Sequence, residues 1–233
     1  MKIGLHRLCM MGLLLLLLAC EDEYHYPSVS LEFVTMLSDG EGRMNTLIPD
    51  KGDALPVLED RTGSVITPLS SRRLLCNYEQ TAQGARIYSL ESLLTPIPKP
   101  ADDETYEDGI KTDPVEMGSI WMGRNFLNMI LHLKVGMGTR HTFGMVEDLS
   151  ELKDKRIVTL LLYHDAAGDT EFYNRKVYLS VPLLKYVNPL RHDKTLKIKF
   201  KYYTYDEEGH VVLSEKYCEP GFDFTPESID LLK

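Results

Sequence analysis

Cys20 is the residue in this chain whose surroundings prescribe a reaction. Lys2 and Arg7 give a positive start, Leu13 to Leu18 form an unbroken apolar run, and Ala19 closes it directly before the cysteine. A charged start, a short apolar stretch, a small residue and a cysteine form the layout of a lipoprotein signal. The run is too short to cross a bilayer, which takes about 20 apolar residues. Cleavage between Ala19 and Cys20 leaves the Cys20 thiol at a new N-terminus, ready to take lipid. Each buried methylene contributes about 0.8 kcal/mol, so several acyl chains anchor a protein stably.

Leu17-Leu18-Ala19-Cys20 resembles the lipobox read by lipoprotein signal peptidase, with Leu18 bulkier than the residue usual there. The plainer alternative is an ordinary secretory signal with a chance cysteine after it. Glu21-Asp22-Glu23 follows at once. This acidic cluster is similar to the surface-export signal of Bacteroidetes lipoproteins, or is a solvated tether held off anionic headgroups by its charge. Cys9 leaves with the signal. Cys76 and Cys218 remain, either as a disulfide, which an extracytoplasmic compartment permits, or as two buried, inert thiols.

The remaining candidates are weaker. His132, His141 and His164 could meet as a metal site if strands bring them together, but their spacing follows no standard ligand pattern. Asp165 and Asp169 around Gly168 lack the twelve-residue calcium pattern and read as a turn. Lys197, Lys199 and Lys201 stand beside Tyr203 and Tyr205. They form either a patch for an anionic glycan or a solvated face that discourages edge pairing. Trp121, the single tryptophan, is a core or domain-interface anchor, or a sugar platform. No nucleophile elbow, zinc-protease motif or phosphate loop occurs, so the sequence points to no catalytic residue, no metal and no cofactor. The net charge of -9 argues against nucleic acid, whose phosphates need clustered Lys and Arg.

The elements that must position these residues are strands. Apolar residues alternate with polar ones in Ser28–Phe33, Leu127–Val135, Val177–Leu183 and Leu196–Tyr202, the pattern of strands with one face in the core and one in water. Ile157–Tyr163 is nearly continuous in Ile, Val and Leu, as in a central strand covered on both faces. Ser38–Gly42, Asp165–Asp169 and Asp206–Gly209 carry hairpin-turn chemistry. Leu149–Lys155 and Pro226–Lys233 are short helical candidates, the second with Thr225 as N-cap. Pro96 to Pro114 combines prolines with Asp102, Asp103, Glu104, Glu107, Asp108 and Asp113, the composition of a linker or long surface loop. The expected organisation is all-β: signal peptide 1–19, tether 20–27, a small barrel at 28–100, an acidic linker at 101–113, and an antiparallel β-sandwich at 114–233.

Several segments together carry a family resemblance. They are Cys20-Glu21-Asp22-Glu23-Tyr24, Pro49-Asp50-Lys51-Gly52-Asp53-Ala54-Leu55-Pro56, Arg72-Arg73-Leu74-Leu75-Cys76-Asn77-Tyr78, Ile120-Trp121-Met122-Gly123 with Phe126-Leu127-Asn128-Met129, Leu162-Tyr163-His164-Asp165 with Gly168-Asp169, and Leu179-Ser180-Val181-Pro182-Leu183. In this order the chain resembles the NigD-like lipoproteins of Bacteroidetes. The resemblance implies an N-terminal OB-like domain and a C-terminal β-sandwich. The family has no established biochemical activity, and its name derives from a bacteriocin locus. The expectation is an outer-membrane lipoprotein, surface-exposed or facing the periplasm. It is held in the membrane through lipid on Cys20, and acts as a non-enzymatic module for a protein or glycan partner. A bacteriocin- or immunity-associated role is the alternative, and an envelope-glycan hydrolase the third.

Overall fold

The computed structural model describes residues 28–136, 140–170, 172–186 and 196–218, with the backbone alone for Tyr217 and Cys218. Ala19, Cys20, Glu21-Asp22-Glu23 and the helical candidate at 226–233 lie outside these residues.

Five strands close into the first unit: β1 (Val29–Ser38), β2 (Met44–Pro49), β3 (Leu55–Asp60), β4 (Ser71–Thr81) and β5 (Gly84–Ser92). Their order is β1-β2-β3-β5-β4, with β3 and β5 parallel and β4 closing onto β1, an OB-like barrel. Strand alternation assigns the two faces. Val34, Met36, Leu74, Cys76 and Tyr78 fill the barrel with Leu47, Ala85 and Ile87. Phe33, Thr35, Arg73 and Leu75 fall on the opposite face, yet they too are buried. The Ser38–Gly42 turn forms the expected hairpin. Asp39 Oδ1 accepts the amides of Glu41 and Arg43 at 2.8 and 3.0 Å. Gly42 has a φ of +82°, and a Cβ there would sit 2.4 Å from the Ile66 carbonyl.

The second unit has two sheets. One is β13-β12-β10-β9-β6, built from β6 (Lys99–Pro100), β9 (Thr142–Asp148), β10 (Ile157–Asp165), β12 (Lys197–Tyr205) and β13 (Val211–Cys218). The other is β11-β8-β7, built from β7 (Glu116–Gly123), β8 (Phe126–Val135) and β11 (Tyr173–Pro182). Leu127, Met129, Leu131, Val181, Leu160, Phe200 and their neighbours form the core between them. A short helix, α1 (Leu152–Lys155), precedes β10 and ends at Arg156 in the left-handed conformation.

The three-stranded sheet is a middle layer. Its second face carries Trp121, Asn128, Ile130, Tyr178 and Ser180, and packs on the outer face of the barrel. Alternation alone places Asn128 and Ser180 in water; both are instead 0% exposed because the barrel covers them.

Other expectations are corrected in the same way. Asp206–Gly209 joins β12 to β13 as a hairpin, but Asp165–Asp169 links β10 in one sheet to β11 in the other. His132 and His141 flank the passage from one sheet to the other, since β8 lies in the three-stranded sheet and β9 pairs with β10. β10 is central but alternates buried with half-buried residues, because the core lies against one face of its sheet only.

The proline- and acid-rich segment is not a free connector. Lys99–Pro100 adds to β9, and Asp103 caps a 3₁₀ turn (Glu104–Tyr106) by accepting the Thr105 amide at 2.9 Å. Tyr106 is buried and donates to the Met145 carbonyl at 3.0 Å. Beyond it, the Asp113 amide donates to the His164 carbonyl and the Val115 amide to the Tyr203 carbonyl, at 3.0 and 2.9 Å. Composition hides this because the segment's contacts are made mainly by its backbone and by one buried tyrosine.

Candidate functional site

Arg73 organises the contact between the two units. Its side chain is 3% exposed and pairs with Asp50, the last residue before the β2–β3 loop turns. Nε donates to Ser180 Oγ at 3.0 Å, Nη1 to Thr35 Oγ1 at 3.4 Å, and Nη2 also to Asn128 Oδ1 at 3.3 Å. Asn128 Nδ2 donates to the second Asp50 oxygen at 2.7 Å, and Ser180 Oγ to Asn128 Oδ1 at 2.6 Å. The guanidinium also lies 4.3 Å from the centre of the Phe126 ring. Burial lowers the Arg73 value below that of an ordinary guanidinium, and the Asp50 charge opposes the shift. A buried charge is tolerated where it is paired and hydrogen-bonded, and here four hydrogen bonds and the Phe126 ring surround the guanidinium.

Gly123 makes the approach possible: a Cβ there would lie 2.1 Å from Asp50 Oδ2 and 2.5 Å from Asn128 Nδ2. The next residue, Arg124, adopts a φ of +47° and donates from Nε to the Pro49 carbonyl at 2.8 Å and from Nη2 to the Gly52 carbonyl. The β2–β3 loop of the barrel is thus clamped by the β7–β8 turn of the sandwich.

Beside this latch lies a cleft of about 530 Å³. Val29, Leu31 and Phe33 share one face of β1, and the first two are 48% and 65% exposed. Phe33 sits between Trp121 and Tyr178, at ring-centre distances of 5.0 and 6.0 Å. Glu32, Lys51, Gln80 and Lys176 supply polar groups to the cleft. Trp121 is therefore a domain-interface anchor whose ring borders an open groove.

A second, smaller cavity of about 290 Å³ lies at one end of the sandwich. There the antiparallel β9–β10 pair brings His141 and His164 together. His164 Nδ1 is 2.9 Å from the Asp113 carbonyl oxygen, His164 Nε2 is 2.9 Å from His141 Nδ1, and His141 Nε2 is 3.1 Å from Asp169 Oδ2. Phe143 stacks on His164 at 4.7 Å. Burial holds His164 below the ordinary imidazole value. All four ring nitrogens are engaged. His132 does not join them; its Nδ1 lies 3.6 Å from Glu116 on the pocket wall.

The other sequence candidates have structural partners. Lys199 and Lys201 each reach Glu215 across the β12–β13 pair at 3.2 Å, and hold its carboxyl below the usual range. Asp165 caps its turn through the Ala167 amide at 2.7 Å, while Asp169 serves His141 and the Gly136 amide. Among the described residues, Asp206, Glu208 and His210 bring three metal-type ligand atoms within 4.8 Å of one another, all exposed in a turn that Asp206 itself caps. Cys76 is a free thiol buried in the barrel interior, and the side chain of Cys218 lies outside the described residues. Burial pushes the Cys76 thiol up to about 12, so it stays protonated and unreactive.

The fold and its latch define a class: an OB-like barrel fixed to a β-sandwich through a buried polar cluster. The NigD-like C-terminal β-sandwich family matches residues 98–213. A NigD-like immunity protein from Bacteroides caccae is 57% identical, with a TM-score of 0.74 over 87% of this chain and 100% of that one. The chain belongs to the NigD-like family. Two further structures share the fold at low identity. One is a candidate toxin-related protein from Parabacteroides distasonis (18% identical, TM-score 0.65, 88% of this chain and 100% of that one). The other is a candidate lipoprotein from Bacteroides fragilis (15%, TM-score 0.56, 85% and 100%). No curated protein matches the chain.

Proposed function

We propose that this protein is a lipid-anchored, non-enzymatic envelope module of the immunity type, and that it holds a protein partner in the cleft between barrel and sandwich. The observation that carries the reading is the latched cleft: an exposed apolar stripe on β1 runs into an aromatic groove whose walls are fixed by the Arg73 cluster. Phe33 divides Trp121 from Tyr178, which breaks up the flat platform a sugar ring would need and favours side chains inserted from a protein. The closed hydrogen bonding of His141 and His164 leaves no ring nitrogen for a substrate proton, which supports a binding role over a hydrolytic one. The 57% identical relative is named a NigD-like immunity protein, and the immunity reading follows from it. Anchoring rests on Ala19-Cys20 and surface display on Glu21-Asp22-Glu23.

The test is a deletion strain challenged with toxin-bearing supernatants of related strains. Loss of the gene should sensitise the cells, and wild-type protein should restore protection. Leu31→Lys, which folds with an altered cleft lip, should not. Full protection by Leu31→Lys, or unchanged sensitivity of the deletion strain, would count against the proposal.

A further inference from the structure

The three-stranded sheet keeps an open edge beside the cleft. Leu94 pairs with that edge in parallel: its amide donates to the Tyr178 carbonyl and its carbonyl accepts the Ser180 amide, both at 2.9 Å. Tyr178 and Ser180 therefore turn their backbone groups away from β8, and the period of two does the same for Asn174 and Lys176. Leu94 pairs there alone, because Ser92 already belongs to β5 and Pro96 has no amide. Among the described residues nothing bonds the outward amides and carbonyls of Asn174 and Lys176, and Tyr173 to Lys176 are all exposed. An edge that accepts one extended segment of its own chain can template another.

The charges beside this edge choose the occupant. Lys176 and Tyr178 line the cleft from β11, and Lys51 lines it from the barrel. Neither lysine, nor Arg175 next to Lys176, has an ion pair among the described residues, although the chain carries 35 acids against 26 bases. The acids of the cleft, Asp50 and Glu32, belong to the barrel, and Arg73 neutralises the first. We infer that the partner proposed above enters the cleft as an extended acidic segment that adds a strand to the free edge of β11; the inference rests on that reading of the cleft. Backbone pairing to Asn174 and Lys176 sets the register. Acidic side chains then meet Lys176 on one face and Arg175 on the other, while apolar ones reach the Phe33–Tyr178 groove. A second copy of this chain fits poorly, since pairing β11 with its twin brings these cations against one another.

The experiment titrates the ¹⁵N-labelled full mature protein with an acetylated, amidated hexapeptide alternating valine and glutamate, and with its valine–lysine counterpart. The acidic peptide should shift the Asn174 and Lys176 amide signals and slow their exchange with solvent. The basic peptide should bind about tenfold more weakly. Lys176→Pro removes an outward amide, which an edge strand can spare. It should weaken the acidic peptide about tenfold in a protein whose barrel signals are unchanged. Should that variant fail to fold, Lys176→Glu tests the charge with the same expected loss. Unchanged exchange at Asn174 and Lys176, equal binding of the two peptides, or a dimer that protects these amides without peptide would overturn the inference. In the toxin challenge of the deletion strain, full protection by Lys176→Pro would overturn the strand mode and leave the immunity reading standing. A peptide seated on the edge, with no protection by wild type, would uphold the strand site and sink the immunity reading.

Discussion

At the residue scale, the side chains that matter most carry weak signals in sequence. Cys20 is the exception, because the proposed anchor rests on a motif that is legible in the sequence alone. Cys20→Ser should release the protein from membranes into a soluble fraction and abolish uptake of labelled fatty acid; a variant that stays in the membrane would refute the anchor. His164 looks in sequence like one of three dispersed histidines, and only the β9–β10 pairing shows that its partner is His141 and not His132. Its value is depressed in the folded state, chiefly by burial. A depressed base binds fewer protons when folded than when unfolded. Its contribution to stability is therefore intact above the unfolded value of about 6.5 and is lost as pH falls from there through the folded one. Urea unfolding of His164→Asn should show a shallower acid loss below about pH 6.5 than wild type. An identical slope would mean that other groups set the acid limit.

At the element scale, period-two alternation revealed the strands β1, β8, β11 and β12, and turn chemistry revealed two of three expected hairpins. What alternation cannot show is which neighbour covers a face. Asn128 and Ser180 read as solvated positions, and the barrel buries them. Arg73 follows Ser71 and Arg72 in β4, so nothing in the sequence marks it as buried, and its partner Asp50 from the β2–β3 loop has no sequence signature either. The latch yields two expectations. Arg73→Leu leaves Asp50 with Asn128 as its side-chain partner and should cost about 3 kcal/mol of unfolding free energy in denaturant titrations. Gly123→Ala forces Asp50 out of place and should cost on the order of 2 kcal/mol. Values near zero for both would show the cluster to be incidental. The connector gives a third. Because Tyr106 pins it to β9, Tyr106→Ala should make the segment between Pro100 and Asp113 the first site of limited proteolysis, while wild type resists there.

At the scale of the whole molecule, the all-β class and the barrel-then-sandwich order follow from the strand pattern and from the family resemblance. The joining of the two domains does not, because it depends on contacts between residues far apart in the chain, such as Arg73 with Ser180 and Arg124 with Pro49. On the proposed reading, that joining builds the binding surface. A barrel and a sandwich on a loose linker would present two unrelated faces; clamped by Arg73, Asp50 and Arg124, they frame one groove. On the proposed reading, the acidic residues after Cys20 set where that groove is displayed. Replacing Glu21-Asp22-Glu23 with alanines should leave lipidation intact and protect the protein from protease added to whole cells, where wild type is cut. Equal protection of both would place the groove in the periplasm.

The central claim is that the cleft between barrel and sandwich holds a protein partner. Its most direct test is a photo-crosslinking amino acid placed at Leu31 on the cleft lip, at Lys176 on the cleft wall, or at Leu213 on β13, in living cells challenged with the toxin source. The cleft positions should each yield one discrete adduct, the Leu213 position none, and Trp121→Ala should abolish the adduct. An adduct from Leu213 alone, or one from the cleft that survives Trp121→Ala in a folded protein, would contradict the account.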